Sequence, residues 1–125
     1  QVIARQPDYH HAYNALGYSF ADRGVRLEEA KRLIQKALEF APEDPFITDS
    51  LAWVEFRLGN KAEAARLLRF AFAKKPDSEI AAHLGEVLWS QGNTSEAKAI
   101  WQEGLRLNPN NSTLKDTLKR LGVSL

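Results

Sequence analysis

One stretch of this chain is written three times, 33 to 35 residues apart, and that period limits the fold more than any other feature. The middle copy reads Leu51-Ala52-Trp53, then Gly59-Asn60, Glu63-Ala64, Leu67-Leu68, Ala71 and Pro76. Upstream the same order runs Leu16-Gly17-Tyr18, Gly24, Glu29-Ala30, Ile34, Ala37 and Pro42. Downstream it runs Leu84-Gly85-Glu86, Gly92-Asn93, Glu96-Ala97, Trp101, Gly104 and Pro109. Pro42 to Pro76 is 34 residues and Pro76 to Pro109 is 33; Ala30, Ala64 and Ala97 keep the same steps. A period of this size marks units too small to bury their own apolar faces, so neighbours must stack.

Within each copy the apolar residues recur at about 3.6, the period of a helix with one buried stripe. Ala12, Tyr13, Leu16 and Phe20 predict a first helix that ends near Arg23; Ala30, Leu33, Ile34, Ala37 and Leu38 predict a second over about 27–40. Asp44-Pro45 reads as an N-cap followed by proline at the first helical position, where its missing N–H leaves no bond unmade. That helix runs to about Leu58, and its partner over about 61–74. After Asp77 a helix runs to about Gln91, and a partner to about Leu107, with Asn93 and Glu96 spaced as a capping box. Asn111 or Ser112 caps a last amphipathic helix carrying Leu114, Leu118 and Leu121. Leu16 to Leu51 is 35 residues while Ala30 to Ala64 is 34, so the first copy holds one extra residue between Leu16 and Ala30, in the turn at 22–27.

Small residues stand at fixed places: Gly17, Ala52 and Gly85 after the leading Leu, Ala30, Ala64 and Ala97 early in each second helix, and Ala37, Ala71 and Gly104 two turns later. Small side chains on facing stripes let two helix axes approach closely. This pattern resembles the tetratricopeptide repeat, with Leu-Gly, Gly, Ala, an aliphatic or aromatic, Ala and Pro in register. The resemblance implies an all-α fold, a right-handed α-solenoid of three stacked helix-turn-helix repeats plus a C-terminal capping helix. The units expected are 8–42, 43–76 and 77–109, with 110–125 as the cap and 1–7 as the end of a preceding repeat. Glu55 departs from the pattern, standing where the family places a large apolar residue, so Val54 or Phe56 is expected to supply the packing. Asp49-Ser50-Leu51-Ala52-Trp53, Arg57-Leu58-Gly59 and Ile80 through Trp89 further resemble the C-terminal repeats of bacterial envelope tetratricopeptide lipoproteins. That likeness implies a periplasmic, outer-membrane-associated adaptor; without it a cytoplasmic one is equally compatible.

Composition narrows function by exclusion. Seventeen Lys and Arg against sixteen Asp and Glu lack the basic excess of a nucleic-acid grip. No run approaches the roughly 18 apolar residues of a membrane span. The chain has no Cys for disulfide or thiol chemistry, and no Met at all, which leads us to expect a longer parent. His10 and His11 are adjacent and diverge on a helix, and His83 is two repeats away, so no metal site is expected. No nucleophile stands beside a base, no Gly-rich loop cradles a phosphate, and Glu28-Glu29 and Glu43-Asp44 fit solvated helix starts. No cofactor and no catalytic residue is expected.

What remains is a surface. In the geometry the resemblance implies, first helices line a concave groove, and their residues off the packing stripe include Asn14, Tyr18, Asp22, Asp49, Trp53, Phe56, Arg57, Glu86 and Trp89. Aromatic rings there are good anchors for a peptide, giving area at low entropic cost. The family's carboxylate clamp is not expected: its positions hold Asn14, Tyr18, Ser50, Glu79 and His83, without the basic residues. Two readings stay open. One is a non-enzymatic adaptor that holds a protein or peptide segment in the groove. The other is a structural end of a longer array, with the aromatics packed between repeats and contacts made elsewhere or through self-association. An apolar N-terminal face at Val2, Ile3, Tyr9 and Tyr13 gives the expectation of a homodimer.

Overall fold

The computed structural model describes residues 9–125, with side chains from residue 10 onward. The expected helical tail over 1–7, the Asp8 cap, the apolar residues Val2 and Ile3 and the side chain of Tyr9 lie outside that description. Among the described residues there are seven helices and no strand: α1 Tyr9–Arg23, α2 Leu27–Phe40, α3 Pro45–Arg57, α4 Lys61–Lys74, α5 Ser78–Ser90, α6 Thr94–Leu107 and α7 Ser112–Leu121. None is long and apolar enough to cross a membrane.

Side-chain caps fix three of the starts. Asp44 accepts from the Phe46 and Ile47 amides, with Pro45 at the first helical position. Asp77 accepts from Glu79 and Ile80, and Asn111, rather than Ser112, caps α7 through Leu114 N at 2.9 Å. The capping box expected at Asn93 and Glu96 is not formed: the Asn93 side chain makes no cap bond. Glu96 is drawn away instead, into an ion pair with Arg69 on α4. The extra residue of the first copy falls at Val25, between Gly24 and the N-cap Arg26, which is the one non-glycine residue with positive φ (49°) among those described. In the other copies the glycine turn passes straight to the N-cap, as at Gly59-Asn60. Left-handed backbone costs a non-glycine residue on the order of 1 kcal/mol.

The helices form two layers. Each pair, α1 with α2, α3 with α4 and α5 with α6, packs as an antiparallel hairpin, and each second helix also meets the next first helix. The first helices α1, α3 and α5, followed by α7, also touch in sequence and make the inner layer. The small residues set the approach. A methyl group on Gly17 would lie 2.6 Å from Ile34 Cγ1, and one on Gly104 would lie 2.9 Å from Ala81 Cβ. Gly85 presses its backbone onto the indole of the fully buried Trp101, whose N–H donates to Ala82 O at 3.3 Å. Ile34, Ile47, Val54, Leu68, Ile80, Leu84, Leu88 and Leu114 fill the remaining space.

The burial expected along α1 is corrected. Leu16 was placed on the buried stripe of α1, but it is 47% exposed, and Ala12 is exposed too. The face of α1 that meets α2 and α3 carries Gly17 and Ala21, with Tyr13 and Phe20 beside them, and no described helix covers the Leu16 side. Glu55 is buried at 6% exposure. Its carboxylate accepts from Asn60 Nδ2 at 2.7 Å and pairs with Lys31 Nζ on α2 at 3.0 Å. A buried carboxylate needs such partners to offset lost hydration. Val54, wholly buried beside it, supplies the apolar packing.

Candidate functional site: the inner face

A chain of polar side chains crosses the inner layer from α1 to α5. His83 Nδ1 lies 2.8 Å from Asp49 Oδ1, so in the neutral ring Nδ1–H donates to the carboxylate. On the other side Nε2 lies 3.1 Å from the Tyr18 hydroxyl, which donates to it in that tautomer. Trp53 stacks on the imidazole with ring centroids 4.4 Å apart, and Phe56 packs on Trp53 at 5.1 Å. Burial alone pushes the His83 imidazole down, but the Asp49 charge and hydrogen bond, with Glu79 and Glu86 nearby, leave it raised. Burial also raises the Asp49 carboxyl against the pull of His83. The Tyr18 phenol is pushed well above its ordinary value, by burial first and then by Asp22, Glu79, Asp49 and Glu86. Asp22, Asp49, Glu79 and Glu86 thus gather around the Tyr18–His83 pair.

The last helix completes the face. Arg120 on α7 donates both terminal nitrogens to Glu86 on α5, at 3.0 and 2.6 Å. Thr113 Oγ1 donates to Glu79 at 2.9 Å, with Asn111 Nδ2 at 3.4 Å. Between α1 and α7 opens a cleft of about 210 Å³. Its walls are Tyr18 and Asp22 of α1, Trp53 of α3, His83 and Glu86 of α5, and Thr113, Asp116, Thr117 and Arg120 of α7. Neighbouring it is a cleft of about 180 Å³ with Asn14, Ala15, Tyr18, Phe46, Asp49, Ser50, Glu79 and His83.

The nine residues expected on the groove are thus distributed over several places. Tyr18, Asp22, Trp53 and Glu86 meet in the first cleft, and Asn14, Tyr18 and Asp49 in the second. Trp53 is only 4% exposed and acts mainly as packing for His83. Phe56 and Arg57 line a separate hollow at the helix ends with Gly24, Leu27, Lys61 and Ser90. Trp89 leans on Trp101, ring centroids 5.6 Å apart, and lines none of these clefts. Arg120, Asp116, Thr113 and Thr117 are not among the groove residues expected from sequence, and His83 enters there only as a position lacking a clamp or metal role. A signal for them exists. Asp49–His83, Glu79–Thr113 and Glu86–Arg120 are each separated by 34 residues, one repeat step, so complementary polar residues at that spacing mark contacts between successive inner helices.

Hairpins stacked in two layers, closed by small residues at repeated positions, define an α-solenoid. The chain belongs to the tetratricopeptide repeat family: residues 50–112, just over half of it, match the model of that repeat. A TPR repeat-containing protein of Pseudomonas aeruginosa is 54% identical over 85 residues, which is 68% of this chain. The chain spans only 14% of that relative's length. A thermophilic TPR protein of Thermus thermophilus superposes with a TM-score of 0.79 at 25% identity, covering 98% of this chain and 69% of the other. The first TPR of Spaghetti (RPAP3), bound to the HSP90 peptide SRMEEVD, shares the fold: TM-score 0.74, 21% identity, 94% and 93% of the two chains covered.

Proposed function

We propose that this chain is a non-enzymatic interaction module that holds a segment of a partner protein along its inner face. The observation that carries the reading is the acid-rimmed cleft between α1 and α7, where Tyr18 keeps part of its ring accessible over a preformed polar network. A site whose side chains are already ordered by Asp49, His83 and Arg120 loses little entropy when a segment docks. A peptide as acidic as SRMEEVD would meet Asp22, Glu86 and Asp116 there, so the partner is of a different kind.

The near-complete burial of Trp53 favours a second reading, in which the inner face serves only to hold repeats together. Ala15→Trp separates the two. Ala15 is exposed on the wall of the second cleft, so a bulky ring there fills the groove without entering the core. Loss of partner capture by the folded variant supports groove binding; unchanged capture supports the structural role.

A further inference from the structure

We propose that the cleft between α1 and α7 receives an arginine side chain of the partner segment; this rests on the groove reading above. The cleft sets three carboxylates, Asp22, Glu86 and Asp116, against one guanidinium, Arg120. Glu86 alone is ion-paired: among the described residues Asp22 and Asp116 have no cation within ion-pair distance, although the Asp22 charge is felt by Arg120. They stand on opposite walls, α1 and α7, facing a space of about 210 Å³. That is below the roughly 300–1,000 Å³ of a small-molecule pocket and suits a single side chain.

The chain itself displays the chemistry. Arg120 lies on Glu86 in a two-point contact at 3.0 and 2.6 Å, so the cleft already accommodates a guanidinium on its carboxylates. The wall also carries the partly exposed Tyr18, and a planar guanidinium pairs with carboxylates two-fold while stacking on an aromatic ring, which an ammonium does not do. A second, independent feature points to a peptide rather than a bare cation. Trp53, buried on the wall of the same cleft, keeps an indole N–H with no acceptor among the described residues. A buried donor left without an acceptor costs about 1–3 kcal/mol, and a main-chain carbonyl flanking the arginine would supply one.

The test is selection of a displayed random 12-residue peptide library on this chain, followed by fluorescence polarisation with a selected peptide. The expected pool is enriched in arginine. Replacing that arginine by alanine in the peptide, or using the double variant Asp22→Asn with Asp116→Asn, weakens binding at least tenfold, and lysine in its place weakens it several-fold. Asp22 and Asp116 are exposed and unpaired, so melting curves of the double variant are expected to match the parent and exclude misfolding. A pool without arginine, or binding that the double variant leaves unchanged, overturns the proposal. If Ala15→Trp still abolishes that binding, the groove reading survives while the arginine falls; if neither variant matters, both fall.

Discussion

His83 reaches Asp49 across one full repeat, Nδ1 to Oδ1 at 2.8 Å, with both side chains out of water. Folding raises the affinity of both groups for protons, His83 through Asp49, Glu79 and Glu86, and Asp49 through burial. For a group held above its unfolded value, the stabilisation is complete below that unfolded value and is lost as pH climbs through the folded one. Stability should therefore fall as pH rises from 6.5, the ordinary histidine value. Thermal melts across that range measure the slope. In Asp49→Asn the slope should flatten, because burial then opposes the remaining pull of Glu79 and Glu86; an unchanged slope would place the titration elsewhere.

Gly85→Ala should be the most damaging of the glycine substitutions. Its new methyl would overlap the indole of Trp101, which is fully buried and anchored to Ala82 O. Overpacking of a core contact costs about 1–3 kcal/mol, occasionally more. Gly59→Ala meets open space and pays only for its positive φ, on the order of 1 kcal/mol. Urea unfolding of the two variants side by side should rank them in that order.

Glu55→Ala should destabilise by about 1 kcal/mol, since it removes the contacts to Asn60 Nδ2 and Lys31, both of which stay in reach of water. Glu55→Leu, which restores an apolar side chain at this buried position, should recover much of the loss. The comparison is again made by urea unfolding, with a linear dependence on denaturant.

The three tryptophans should answer a neutral quencher unequally. Trp101 is fully buried and Trp53 is 4% exposed, whereas Trp89 keeps part of its ring at the surface. Acrylamide should quench mainly Trp89, so Trp89→Phe should leave an emission that acrylamide barely reduces. Strong quenching in that variant would mean that Trp53 opens to solvent.

The scaffold could be read from the chain because its determinants are local and repeated. Gly17, Gly85 and Gly104 each sit where a neighbouring helix touches their backbone, and Asp44, Asp77 and Asn111 each cap the helix that follows. Leu16 misled because periodicity shows that a helix has an apolar face, not whether anything covers it. Asn93 misled because Glu96 has a competitor, Arg69, that lies 27 residues away in sequence. The inner face was harder for a related reason. Helical position placed Tyr18, Asp22 and Trp53 on it, but partners such as Arg120 come from another helix, and helical phase within one copy carries no information about the next.

The contacts at 34-residue spacing bear on how such an array can change over generations. Identical units can be reordered, duplicated or deleted like beads, since every junction is alike. Here Asp49 is addressed to His83, Glu79 to Thr113 and Glu86 to Arg120. Moving the unit at 77–109 to another slot would orphan a carboxylate at both of its junctions, so this unit has lost its interchangeability and is inherited together with its neighbours.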